Sequence, residues 1–273
     1  MENATQLLFR WAGLRKLRPM LEVLNLTKLY HGRPVVNQVT FSIGSGEVLG
    51  YLGPNGSGKS TTVKMLTGLV APSSGQIYYR GRNIREDMIG YKHIVGYVPE
   101  EPYLYPYLSG REYLQLAGRL RGLPEKAMNQ KIAALLELFS LSDYHRSSVG
   151  SYSKGMKQKI LIIAALLHNP EVVIFDEPLS GLDVTAALVF RSLIQLLAHR
   201  GKAILYTSHV LESVERVSTR VLILRKGAMV AHDSTQNLRD LLGSPTLEDV
   251  CAQLVNQEDT GKIAGDVIAV IGS

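Results

Sequence analysis

Apolar positions recur along the chain in two different periods, and the period changes twice. Residues 21–26 and 35–43 are short, alternating and β-branched, which predicts two strands joined across His31-Gly32-Arg33-Pro34. Residues 47–52 predict a third short apolar strand. A helical pattern follows over 61–69 and stops near Gly68, and 76–79 and 94–98 again read as strands. The middle of the chain differs. Segments 109–121, 126–139 and 153–167 carry helical spacing, broken at Gly122-Leu123-Pro124 and Leu141-Ser142-Asp143. They predict a helical insert of about sixty residues. Strand and helix then alternate through 172–175, 186–199, 203–207, 211–217 and 221–224. Such alternation builds a mainly parallel sheet covered by helices. No internal repeat is visible, so the chain holds one unit of this kind. Past residue 242 a single amphipathic stretch, 247–255, precedes a tail.

Composition narrows the setting. With 273 residues, 45% hydrophobic and 20% charged, the chain can bury a core without a covalent staple. The single cysteine, Cys251, excludes an intrachain disulfide and any Cys-based zinc site, and it suits a reducing cytoplasm. A net charge of +6 is too modest to choose among nucleic acid, membrane surface and nucleotide. Part of it sits at Arg10, Arg15, Lys16 and Arg18. No apolar run approaches the roughly 18–20 residues of a membrane span, and the longest, 160–167, predicts a buried helix. Residues 1–20 are read as a poorly ordered N-terminal extension. Three forms of it stay open: a start upstream of the working one at Met20, a short interfacial helix, or a disordered tail. The main domain is expected over 21–242, with its helical insert at about 103–165, and a tail over 243–273.

Candidate chemistry begins at Gly53-Pro54-Asn55-Gly56-Ser57-Gly58-Lys59-Ser60-Thr61, which follows a strand and opens a helix. The spacing Gly53-x4-Gly58-Lys59-Ser60 fits a P-loop. Its glycines let backbone N–H groups turn inward on phosphate oxygens, and the helix that follows aims its positive end at the same point. Lys59 supplies a charge for the β and γ phosphates, and the Ser60 hydroxyl a ligand for Mg²⁺. A second element, Val172-Val173-Ile174-Phe175-Asp176-Glu177-Pro178, delivers two carboxylates at a strand end, where ligands of such sheets bind. Asp176 suits Mg²⁺, directly or through water. Glu177 points elsewhere and suits the orientation and deprotonation of an attacking water.

A third element names a family. Ser151-Tyr152-Ser153-Lys154-Gly155-Met156-Lys157-Gln158-Lys159 lies just ahead of the Asp176 strand and resembles the signature sequence of ATP-binding cassette (ABC) transporters. Over roughly 21–240 the chain resembles the nucleotide-binding subunit of that family, with ABC-2-like, exporter-type character. The resemblance implies an α/β fold: a P-loop NTPase core with a mainly parallel sheet, an N-terminal antiparallel β subdomain and an inserted helical subdomain. It implies ATP and Mg²⁺ as ligands. Lys59, Glu177 and His209 become the catalytic residues, the last as the family's switch histidine. Ser153 and Gly155 become contacts to a γ-phosphate held by a facing subunit, and Asp183, in Ser180-Gly181-Leu182-Asp183, part of the loop that meets that subunit. Tyr30 becomes the aromatic that stacks on adenine.

Two departures stand out. Glu100 occupies the position of a family glutamine, where it can still bind Mg²⁺ or a water through oxygen but adds a negative charge near the phosphates, and Lys154 and Met156 replace glycine and glutamine in the signature. Ser153 and Gly155 are retained, so activity is expected to survive.

The partners implied are separate membrane permease subunits and a second ABC ATPase subunit, identical or not. The location implied is the cytoplasmic side of the membrane, peripherally bound. The tyrosines at 103, 105 and 107, with Leu104, are candidates for permease docking, against ordinary loop packing. Export is expected from the Pro99-Glu100-Glu101 pattern and the short stretch after residue 242. The main rival is a cassette acting on ribosomes or DNA. Such relatives carry a second cassette, zinc modules or long coiled coils, which this sequence lacks, so no nucleic acid partner is expected. A purely regulatory subunit without turnover is the other rival, and intact Glu177 and His209 argue against it.

Overall fold

In the computed structural model, which describes residues 19–255, the alternating N-terminal segments pair as expected. Strands Leu21–Tyr30 (β1) and Arg33–Ile43 (β2) run antiparallel, with Tyr30 opposite Arg33. The turn between them is His31-Gly32, both at positive φ, the two-residue hairpin that matches strand twist. The chain then forms Val48–Leu52 (β3) and helix Lys59–Leu66 (α1) before Ser74–Tyr79 (β4) and Arg82–Asn83 (β5) return to the first sheet. That sheet has four strands in the order β2-β1-β4-β5.

Helix Met88–Ile94 (α2) leads into Val95–Val98 (β6). Next comes the insert: Gly110–Leu120 (α3), Glu125–Leu138 (α4) and Lys154–Leu166 (α5). The remaining elements are Val172–Asp176 (β7), Val184–His199 (α6), Ala203–Thr207 (β8), Leu211–Val217 (α7), Arg220–Arg225 (β9), Ala228–Asp233 (β10), Thr235–Leu242 (α8) and Leu247–Val255 (α9). The second sheet has six strands in the order β10-β9-β3-β8-β7-β6. All its pairs are parallel except the β9–β10 hairpin.

Every residue of β3, β7 and β8 is buried. Strands covered on both faces read as unbroken apolar runs, as these do. Because β3, β6, β7 and β8 are parallel, they end at one edge, so the segments that follow them meet there.

The insert has a core of its own, including Leu114, Met128, Ile132, Val149, Ile160 and Ile163. On α5, Leu161 and Ile162 instead face the sheet. That two-sided packing explains why the helix is apolar all round from Ile160 onward. The start of α3 is fixed by a capping box between Ser109 and Glu112.

The amphipathic stretch 247–255 folds as α9, with Leu247 and Val250 fully buried against the sheet's helical face. Cys251 is partly buried there, and burial pushes its thiol up to about 11. Among the described residues no helix is long and apolar enough to cross a membrane. The readings made of residues 1–18 and 256–273 lie outside the described residues.

Candidate active site

Strand β3 releases the chain into the glycine loop at the centre of the sheet, between β9 and β8. The backbone is packed so tightly that a Cβ at Gly53 would lie 2.5 Å from both Leu224 O and Ser57 Oγ. Gly58, at φ 105°, caps α1 in a conformation that side chains disfavour, and a Cβ there would meet Val35 O at 2.6 Å. Pro54, Asn55 and Gly56 are exposed, Ser60 and Thr61 half-buried. The first turn of α1 is tied to β3: Tyr51 OH donates to Thr62 Oγ1 at 3.0 Å, and Thr62 Oγ1 donates to Gly58 O at 3.1 Å. Lys59 Nζ donates to Gly53 O at 2.6 Å and Pro54 O at 3.2 Å, across the mouth of the loop. Ser57 Oγ is buried and has no hydrogen-bond partner among the described residues. The loop therefore brings a cation and a buried, unpaired hydroxyl to the start of α1, a setting that fits phosphate oxygens.

Asp176 ends β7 and is only 4% exposed. Burial raises its carboxyl above the ordinary value. The hydrogen bond from Thr207 opposes that shift, while Glu100 and Glu177 add to it. Lys59 is drawn below its ordinary value by burial, against the pull of Glu177, Asp176 and Glu100. These four charged groups thus act in one field. Glu100 belongs to it although its side chain is exposed.

Glu177 adopts φ 49°, an uncommon left-handed conformation for a residue with a side chain. Its carboxylate meets His209, whose Nδ1 lies 2.8 Å from Glu177 Oε2. The Glu177 side chain is 9% exposed and that of His209 73%. The Glu177 amide donates to Thr207 O and to Thr207 Oγ1, each at 3.2 Å. Thr207 Oγ1 in turn donates to Asp176 Oδ1 at 2.6 Å. Sequence reasoning gave Thr207 no role beyond preceding Ser208 and His209.

The signature element lies elsewhere. Ser153 caps α5, its Oγ accepting from Met156 N at 3.2 Å. A Cβ at Gly155 would meet Gly181 O at 2.6 Å, and the stem of Lys154 lies over Gly181. Gln158, fully buried, donates to Pro178 O at 3.1 Å; the sequence reading missed this link as well. Asp183 caps α6 by accepting from Ala186 N at 2.8 Å. The fold thus joins Ser153, Gly155 and Asp183 along one seam, packed on residues 178–183 rather than on the glycine loop. Tyr30 ends β1, exposed, with Lys28 Nζ 5.2 Å from its ring centroid. Tyr103, Tyr105 and Tyr107 are exposed, the last at 93%.

Among the described residues no group of three or more His, Cys, Asp or Glu side chains could hold a metal ion unaided. A hard divalent cation bound through Ser60 and Asp176 would complete its oxygen shell with phosphate and water, as Mg²⁺ commonly does.

Similarities to other proteins agree with this geometry. Residues 36–180 match the family model described as ABC transporter. The chain is 36% identical over 238 residues to the linearmycin resistance ATP-binding protein LnrL of Bacillus subtilis, covering 87% of this chain and 76% of that protein. It is 34% identical over 249 residues to an uncharacterized ABC transporter ATP-binding protein of Methanocaldococcus jannaschii, covering 90% and 86%. The solved structure of an ATP-binding subunit of an ABC transporter superposes with a TM-score of 0.81 at 34% identity, covering 86% of this chain and 99% of that one. The matched stretch spans the glycine loop, the helical insert and Asp176-Glu177, and the chain belongs to the ABC transporter family as one of its ATP-binding subunits.

Proposed function

We propose that this subunit hydrolyses ATP and, by closing on a second ABC ATPase subunit, drives export through separate membrane permease subunits. The observation that carries the hydrolase reading is the contact of His209 Nδ1 with Glu177 Oε2 at 2.8 Å, beside Asp176 and Lys59.

ATP phosphates would sit in the loop from Gly53 to Thr61, with Lys59 on the β and γ phosphates and adenine against Tyr30. Ser60 and Asp176, with Glu100 beside them, would hold Mg²⁺, which when bound neutralises charge on the phosphate oxygens. Glu177 takes the proton of an attacking water; its nearly buried carboxylate is held by His209 on one side and its backbone by Thr207 on the other. His209, largely exposed, can also reach toward a γ-phosphate.

Ser153 and Asp183 are exposed at the seam, with Gly155 packed against Gly181, which supports a site completed by these groups from a second subunit, identical or different. ATP then favours the closed pair and hydrolysis releases it. The exposed tyrosines 103, 105 and 107 support docking of a permease and a place on the cytoplasmic face of the membrane. The similarity to a linearmycin resistance protein supports export.

The test is Glu177→Gln. We expect ATP binding within about twofold of wild type, hydrolysis lower by two to four orders of magnitude, roughly what a general base contributes, and a stable ATP-bound dimer on gel filtration. Hydrolysis at the wild-type rate would remove Glu177 as the base.

A further inference from the structure

We infer that Thr207 is a positioning residue for hydrolysis: its single buried hydroxyl sets the Asp176 carboxylate and the Glu177 backbone together. This rests on the hydrolase reading above.

The parallel register of β7 and β8 places Asp176 opposite Thr207. Thr207 is fully buried. A threonine hydroxyl has one hydrogen to give and two lone pairs. The Glu177 N–H can only donate, so at 3.2 Å the Thr207 oxygen must accept it. The hydroxyl hydrogen is then left for Asp176 Oδ1, 2.6 Å away. This is the one side-chain hydrogen bond that Asp176 receives among the described residues.

The same oxygen therefore fixes which way the Asp176 carboxylate turns and helps hold Glu177 in its left-handed conformation, which needs support from its surroundings. Branching at Cβ restricts rotation of the Thr207 side chain, so the hydroxyl stays aimed. His209, on the same segment, grips the Glu177 carboxylate. The end of β8 thus holds Glu177 by both backbone and side chain, while presenting Asp176 with a neutral donor that adds no charge beside a bound cation. A buried strand threonine that merely satisfied itself would need only one nearby carbonyl. Here both side-chain bonds cross to the two acids.

The experiment measures equilibrium binding of a fluorescent ATP analogue to the purified full chain, in EDTA and across a Mg²⁺ titration. Thr207→Val fills the same space without the hydroxyl. We expect it to raise the Mg²⁺ concentration for half-maximal effect about tenfold, the low end of what loss of a metal ligand's hydrogen-bond partner costs. Binding in EDTA should stay within about twofold, and Thr207→Ser should restore the Mg²⁺ dependence. In the double variant Thr207→Val/Asp176→Asn, the valine should add nothing to the loss from Asp176→Asn.

Wild-type Mg²⁺ dependence in Thr207→Val, or losses that multiply in the double variant, would overturn the inference. If the valine variant does not fold, Thr207→Ala carries the same expectation and decides the question. Asp176→Asn alone separates the two levels. If it leaves the Mg²⁺ dependence unmoved, the reading of the site fails; if it moves the dependence and Thr207→Val does not, only the role of Thr207 falls.

Discussion

The loop-and-acid edge of the large sheet and the signature seam are built in opposite ways. At the sheet edge, Lys59, Asp176, Glu177 and Glu100 act on one another, and bonds cross between strands distant in sequence, as from Thr207 to Asp176. At the seam, Ser153 and Asp183 are exposed and bond only to the backbone of their own helix starts. Close backbone approach and one buried side-chain hydrogen bond hold the seam: Gly155 lies against Gly181, and Gln158 donates to Pro178 O. The difference teaches which half of a site a chain completes by itself. Groups that must face each other within one chain are locked by long-range bonds. On the proposed reading, the groups that would meet a second subunit stay exposed at helix starts, which favour anions.

The contrast can be broken at either end. The largest effect is expected from Gly53→Val, where the added side chain overlaps Leu224 O and Ser57 Oγ. We expect loss of ATP binding by about a hundredfold or more, with a lower melting temperature, read by nucleotide titration and calorimetry. Gly155→Val should behave differently: ATP affinity of the isolated subunit within about twofold, but hydrolysis lower by about tenfold or more, since the signature would not seat against residues 178–183.

Mixing sharpens the point. If the active pair is two copies of this chain, Lys59→Ala and Gly155→Val subunits, each inactive alone, should regain part of the wild-type ATPase when combined, because one of the two shared sites would be intact. No recovery on mixing would count against a site shared between identical chains. Replacing Tyr103, Tyr105 and Tyr107 together with alanine should lower transport by about tenfold while ATPase changes by less than about twofold, since aromatic anchors dominate such contacts. Unchanged transport would return the tyrosines to plain loop packing.

The smallest effect concerns the junction of the two regions. His168 follows α5 and bonds Val95 O, linking insert to sheet. Burial, with Arg121 nearby, holds its imidazole down to about 4. Between that value and the ordinary 6.5 the unfolded chain binds more protons than the folded one. The contribution is therefore full above about pH 6.5 and falls away as pH drops toward 4. Thermal melts at pH 7 and pH 5 should show a modest fall that His168→Gln reduces; an equal fall in that variant would assign it to other groups.

Most of the site was legible because it is written in contiguous words. The glycine loop, Asp176-Glu177 and His209 each carry their local backbone chemistry with them, and the parallel sheet brings their strand ends to one edge. What was not legible depends on register. The bond from Thr207 to Asp176 exists because β7 and β8 align those two residues, and no local pattern announces that. The packing of Gly155 on Gly181 likewise joins segments that are separate in sequence. Among the elements, α2 buries only Tyr91, β10 fully buries only Ala231, and β5 has two residues. Too few apolar positions repeat in them to reveal a period.

The setting of Cys251 has a practical consequence. It is the single thiol in the sequence, and with its ionisation pushed up to about 11 it carries almost no thiolate at neutral pH. A cysteine introduced at the exposed positions of Ser153 or Tyr107 would react first with maleimide or methanethiosulfonate reagents, with the native residue left in place. If two copies pair as proposed, spin labels or fluorophores attached in that way would turn their opening and closing into a measured distance.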